Sequence, residues 1–254
     1  MKLASWNVNS IRVRLPHVLD WLEAEQPDVL GLQEIKMTTE SFPNADFERT
    51  GYRSVAFGQK TYNGVALLSR EEPTDVSNGL PDFSDEQRRV IAATYGDIRV
   101  VDVYVPNGQS VGSEKYEYKL AWLDALEAYL GNELERYPKL AVMGDFNIAP
   151  EDRDVHDPEE WRDRILCSTN ERGRLNNLMA LGLEDTFRLF DQPEDTFSWW
   201  DYRAAGFRRN RGLRIDLILA SSALARCCSA GQVDKEPRKL ERPSDHAPVW
   251  AVFD

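Results

Sequence analysis

"AVMGDFNIAP", residues 141–150, opens as an apolar run and closes on Asp145, Phe146 and Asn147. The run reads as a buried strand, and where it stops an aspartate and an asparagine fall on one face. An unpartnered buried carboxylate costs several kcal/mol, so this strand end must be met by something. Working outward, similar runs recur: "LASWNV", "DVLGLQE", "GVALLS", "RVIAAT", "IRVVDVYV", "IDLILAS" and "VWAVF". Helical spacing appears in "RLPHVLDWLEAE", in "KYEYKLAWLDALEAYLGNELERY" and in "NERGRLNNLMALG", with Asn170 as a candidate N-cap and Gly182 as a stop. Several strands follow one another without an intervening helix. That predicts a mixed α/β sandwich and excludes a pure Rossmann alternation. Neither a GxGxxG nor a GxxxxGK[ST] signature is present.

What ends these strands is more informative than the strands themselves. The first ends in Trp6-Asn7, the second in Gln33-Glu34, and "VVDVYVPNG" ends in Tyr104 followed by Asn107. Asp216 stands near the start of "IDLILAS", and Asp245-His246 precedes the last strand. Any one of these could be a cap or an Asx-turn, but caps do not explain all of them. Strand ends at one rim of two packed sheets converge, which predicts a single pocket. Oxygen donors without a Cys or His cluster suit a hard divalent ion, Mg²⁺ or Mn²⁺. A histidine beside an aspartate can be held protonated and donate to a phosphate oxygen. The residue types therefore point to metal-assisted hydrolysis of a phosphate ester.

Composition sets the outer bounds. The chain has 254 residues, 42% hydrophobic and 29% charged, without a linker, low-complexity tract or repeat, so one domain spanning 1–254 is expected. The N-terminal apolar stretch is too short for a signal peptide, and no run reaches the roughly 18 apolar residues of a membrane span. Three cysteines, two of them adjacent, predict reduced buried thiols in a cytoplasmic protein. A monomer is expected, since no heptad pattern appears. The net charge of −12 argues on its face against a nucleic-acid binder. However, "DYRAAGFRRNRGLR" (201–214) gathers five arginines around Tyr202 and Phe207. His156, among Asp152, Asp154 and Asp157, reads as part of a solvated acidic loop, and Trp200 as packing.

In order along the chain, "SWNVNSIR", "PDVLGLQEIK", "YNGVALLS", "VYVPNG", "GDFNIAP", "FSWWDYR", "GLRID" and "SDHAPV" resemble the exonuclease III family of Mg²⁺-dependent DNA-repair nucleases. That family lies within the endonuclease/exonuclease/phosphatase superfamily. The similarity runs from residue 3 to 253 and is greatest to the bacterial branch, on "FSWWDYRAAGFRRNRGLRIDLILAS". It implies a four-layer α/β sandwich, two packed mixed β-sheets flanked by helices, with the active site at one rim.

The roles below are what the resemblance implies. Glu34 binds the metal, Mg²⁺ with Mn²⁺ able to substitute, with Asn7 nearby and Asp245 contributing directly or through water. Asp145 orients and deprotonates the attacking water, and Asn147 holds that water or the scissile phosphate. His246, paired with Asp216, binds a phosphate oxygen; Tyr104 assists the phosphate or leaving group, and Asn107 positions the phosphate. Arg12, Lys36, Arg89, Arg208 and Arg211 contact the DNA backbone. Trp199, Leu213 and Ile215 form the apolar pocket for an extruded base-free sugar.

The substrate so implied is double-stranded DNA with abasic sites, nicks or blocked 3′ ends, without a membrane or a stable protein partner, in the cytoplasm at the nucleoid. The acidic net charge then requires segregation, with acid on the far surface and arginines around the site. Two activities fit: cleavage 5′ to abasic sites together with 3′ trimming, or 3′ trimming with little internal cleavage. The segment 161–175, which departs from the family pattern, is the candidate gate between them. A non-catalytic DNA-binding module is disfavoured by Glu34, Asp145 and His246, and a lipid phosphodiesterase by "GLRID" with the arginine loop.

Overall fold

A computed structural model describes residues 1–254. Its strands are β1 (Lys2–Asn7), β2 (Val29–Gln33), β3 (Arg53–Phe57), β4 (Val65–Ser69), β5 (Thr74–Asn78), β6 (Val90–Tyr95) and β7 (Ile98–Tyr104). They continue with β8 (Leu140–Asp145), β9 (Leu183–Asp185), β10 (Trp199–Trp200), β11 (Gly212–Leu213), β12 (Asp216–Ser221), β13 (Cys228–Val233) and β14 (Val249–Phe253). The helices are α1 (Ile11–Glu25), α2 (Asn44–Glu48), α3 (Glu114–Arg136), α4 (Pro158–Trp161), α5 (Thr169–Ala180) and α6 (Ser222–Ala225). Two mixed six-stranded sheets run β13-β14-β1-β2-β4-β3 and β5-β6-β7-β8-β12-β9, and β10 pairs with β11 separately.

The layering follows from strand periodicity. Successive side chains point to opposite faces, so a strand covered on both sides must be apolar at nearly every position. In β1, Leu3 points between the sheets, while Ala4 and Trp6 point to the α1 side. Between the sheets, Leu3, Val65 and Leu67 meet Ile91, Val100, Ala141 and Met143. Outside the first sheet, α1 buries Ile11, Val18, Trp21 and Leu22 at helical spacing. Outside the second, α3 brings Trp122, Leu123, Leu126 and Leu130, and α5 brings Leu175 and Leu178. The order is helix, sheet, sheet, helix, the sandwich that the strand runs predict.

Two details differ from the sequence reading. Helix α5 is capped by Ser168, one turn-start earlier than Asn170. Ser168 accepts from the Glu171 amide while Glu171 reaches back to the Ser168 amide, a reciprocal box that satisfies two orphan donors. The acidic segment around His156 is solvated only in part: Asp152 and Asp157 are exposed, but Asp154 is fully buried and ion-paired to Arg214 at 2.7 Å and to Arg188. Trp200 is fully buried, as packing requires. Cys167 is buried, whereas Cys227 and Cys228 are half-buried, and all three are free thiols. No helix is long and apolar enough to cross a membrane.

A polar bridge spans the two sheets close to the functional rim. Gln33 donates to Ser5 Oγ at 3.0 Å and to Asp102 Oδ1 at 2.5 Å. Gly31 makes room for it: a Cβ there would sit 2.6 Å from Asp102 Oδ1.

Candidate active site

Backbone register assembles the site. Asn7 lies opposite Gln33 at the end of the parallel pair β1/β2. Tyr104 lies opposite Asp145 in β7/β8, and Asp145 opposite Asp216 in β8/β12. These ends fall on one rim of the sandwich. In "GDFN" the glycine is obligatory: Gly144 has φ +149°, and a Cβ would stand 1.9 Å from the Val103 carbonyl oxygen. Asn147 turns the chain away at φ +49°, a left-handed conformation that asparagine tolerates.

The partners of Asp145 are now explicit. The carboxylate accepts from Asn7 Nδ2 at 2.9 Å, from the Asn147 amide at 2.8 Å and from Asn147 Nδ2 at 3.2 Å. His246 Nε2 faces it at 3.7 Å. Burial pushes the Asp145 carboxyl up to about 7, with His246 opposing and Asp216 adding to the rise. Behind His246, Nδ1 donates to Asp216 at 2.9 and 3.0 Å, and Ser198 Oγ donates to Asp216 Oδ2 at 2.6 Å. Burial alone would lower the imidazole's pKa, but Asp216, Asp145 and Asp245 outweigh it and raise it to about 10. His246 is therefore a fixed cation with Nε2–H aimed at the rim.

Glu34 sits just past β2 at φ +51°. It accepts from Asn7 Nδ2 at 2.9 Å and pairs with Lys36 Nζ at 2.8 Å. Glu34, Asp145 and His246 bring potential ligand atoms within 4.8 Å of one another. Because His246 is protonated, the donors this cluster offers are carboxylate oxygens, the set a hard divalent cation takes. The Lys36 ammonium already lies against Glu34 and, at 2.5 Å, against Asn9 Oδ1, so the place attracts positive charge. The residues fit a divalent cation. Asp245 stands beside this cluster, accepting from Asn9 Nδ2 at 2.9 Å and Trp199 Nε1 at 3.1 Å. The phenol of Tyr104 is pushed well up by burial and by the neighbouring Glu34 and Asp145. Asn107 Nδ2 donates to Asn147 Oδ1 at 3.1 Å.

The basic residues divide into two groups. Arg12 and Arg208 are exposed, without an ion-pair partner. Arg211 is exposed but paired with Glu160 at 2.6 Å. Arg89 is 8% exposed and directed inward, donating to Gln87 and to the Tyr104 carbonyl and stacking on the Tyr104 ring at 4.6 Å. It braces the Tyr104 strand end through neutral partners, with no carboxylate against its guanidinium, and lines a cavity together with Tyr104 and Asn107. Arg214, the arginine of "GLRID", is likewise buried, held by Asp154 and Asp185 at 2.7 Å each.

Of the apolar trio only Trp199 is partly open. Leu213 and Ile215 lie in a small core with Leu166 and Cys167, beneath the 161–167 segment. Three further residues hold the site; each lies inside one of the family motifs, but the resemblance assigns it no role. Asn9 links Lys36 to Asp245. Ser198 fixes Asp216. Ser244 bonds the Asn7 carbonyl and the His246 amide.

Known proteins match this arrangement throughout. Residues 4–246 match the endonuclease/exonuclease/phosphatase family. Exodeoxyribonuclease III of Haemophilus influenzae is 43% identical over the whole of both chains. The structure superimposes on a 3′ phosphatase, NExo from Neisseria, bound to product DNA hairpin. That pair has a TM-score of 0.98 and 49% identity, covering 100% of this chain and 99% of that one. An AP endonuclease from Archaeoglobus fulgidus gives a TM-score of 0.96 at 42% identity, again over 100% and 99% of the two chains.

Proposed function

We propose a function from one established premise: this chain belongs to the endonuclease/exonuclease/phosphatase family. It is a DNA-cleaving hydrolase, and we read residues 1–254 as one catalytic unit. Its reaction is hydrolysis of phosphodiester bonds 5′ to abasic sites and of blocking groups at 3′ ends. The observation that carries this reading is the row Asp216, His246, Asp145, a fixed cation between two carboxylates at the strand-end rim.

Roles follow from the contacts. Asp145, held by Asn7 and Asn147, takes the proton of the attacking water, a contribution of about 10²–10⁴ in rate. Protonated His246, oriented by Asp216, donates Nε2–H to a non-bridging phosphate oxygen and stabilises charge as it develops. Asn107 and Asn147 position the phosphate, and the Tyr104 hydroxyl hydrogen-bonds the phosphate or the leaving oxygen. Glu34 with Asp145, supported by Asn7 and with Asp245 alongside, would hold Mg²⁺, or Mn²⁺ in its place. Such an ion supplies Lewis-acid stabilisation of phosphate oxygens. Arg12 and Arg208 are exposed cations without an ion-pair partner, available to the DNA backbone, and Arg211 joins them by exchanging Glu160 for a phosphate.

A second reading has its own support. Leu213 and Ile215 lie under the 161–167 segment, so an extruded sugar meets that segment and Trp199 first. This favours 3′-end trimming with little internal abasic cleavage. Two substrates with Mg²⁺, and again with EDTA, separate the readings: a duplex with one internal abasic analogue and a nicked duplex ending in a 3′-phosphate. Processing of both supports the full activity. Action on the 3′ end alone makes the chain a trimming enzyme. Inertness toward both sinks the proposal.

A further inference from the structure

Lys119 is buried completely in α3, where an uncompensated ammonium could not persist. Its Nζ donates to the Asn147 carbonyl at 2.7 Å, to the Asn107 carbonyl at 3.2 Å and to Glu171 Oε1 at 2.5 Å. Glu171, equally buried, accepts in addition from the Leu166 amide at 3.1 Å and from Ser168 N and Oγ at 3.1 and 2.6 Å. One ion pair thus joins three pieces of chain: the loop after β7, the loop after β8, and the end of the 161–168 segment. Gly108 closes the same junction at φ +89°, where a Cβ would stand 2.8 Å from Ile165 Cδ1 and 3.0 Å from Lys119 Cδ.

We propose that Lys119 is a positioning residue for hydrolysis, fixing the Asn107 and Asn147 carbonyls and coupling them through Glu171 to the 161–168 segment. This rests on the functional reading above. Asn147 is in the left-handed region, and its carbonyl, one peptide plane beyond the amide that donates to Asp145, is related to that amide and to Nδ2 only through the residue's own φ and ψ. A carbonyl anchored by an ammonium holds those angles; without the anchor, the loop turns within its own strain. Segment 161–168, which covers the apolar residues Leu213 and Ile215, is bonded to the same pair. Its placement and that of the hydrolytic residues are therefore set together.

The test uses Lys119→Met, Glu171→Gln and the double variant, with a 3′-phosphate duplex and thermal unfolding measured in parallel. Lys119→Met leaves Glu171 buried without its partner, so Tm falls by roughly 10 °C. The turnover number falls about 100-fold, as a misplaced hydrolytic group requires, while KM for the duplex stays within about threefold. In the double variant the neutral pair restores most of the Tm, but turnover stays low because both carbonyls still lack their donor. Turnover that recovers along with Tm would make Lys119 a structural residue only and overturn the inference. So would a wild-type turnover number in any folded variant lacking Lys119. If Lys119→Met does not fold, the double variant carries the comparison alone. A wild-type chain inert on the duplex would remove the functional reading, and this inference with it.

Discussion

Asp145 is a carboxyl group in surroundings that resist its ionisation. Burial raises its carboxyl to about 7 from an ordinary value of 3.8, so above that ordinary value the charged form costs folding stability. Asp145→Asn removes the cost. It should raise the Tm of the metal-free protein by a few degrees while lowering turnover about 10²–10⁴-fold, with duplex binding in a gel shift retained. Near-normal turnover in that variant would refute the assignment of the base. His246 has the opposite sign. Its folded value of about 10 lies above the usual 6.5, so its contribution is complete below 6.5 and is lost as pH rises through 10. The gap in urea midpoint between wild type and His246→Gln should therefore be constant below neutrality and close in alkali. For Glu34→Ala, calorimetric titration with Mn²⁺ should give weaker binding; unchanged affinity would move the cation elsewhere. Asn7 and His246 lie about a hundred residues or more from Asp145 along the chain, which is why residue types alone suggested a pocket but not its hydrogen bonds.

At the scale of elements, the strands legible from apolar runs are β1, β2, β4, β6, β7, β8, β12 and β14. These are the interior strands of both sheets. Within the two large sheets, the strands without a signal, β3, β5, β9 and β13, are the four edges. An edge strand is covered less, needs fewer apolar residues and gains from charge: β5 reads "TDVSN" and is exposed throughout. The same logic explains Arg214. Although it ends an arginine-rich stretch, it is the centre of a buried cluster tying the segment after β8 to β9. Arg214→Met should lower unfolding free energy by about 3–5 kcal/mol in urea titration, because Asp154 and Asp185 lose their partner. The salt dependence of DNA binding should not change. Loss of salt dependence with full stability would return Arg214 to the interface.

For the molecule as a whole, the question is how a chain of net charge −12 meets a polyanion. The acidic excess is compatible with DNA because screening confines each charge to about 8 Å, so contact depends on the local cations and not on the net charge. Arg208→Ala should reduce the slope of log affinity against log salt by about one. Arg211→Ala should change it less, because its guanidinium must first leave Glu160. Equal slopes in all three proteins would place the phosphate contacts elsewhere. The sequence by itself determined the two-sheet sandwich and the residue types at its rim. Strands buried on both faces must be apolar throughout, and a polar residue that ends such a run stands out. Which arginines are free, and that Lys119 and Ser198 support the site, emerges from the folded arrangement alone. Burial and ion pairing depend on neighbours distant in sequence, and a charged side chain carries the same letter whether it faces water, a carboxylate or a backbone carbonyl.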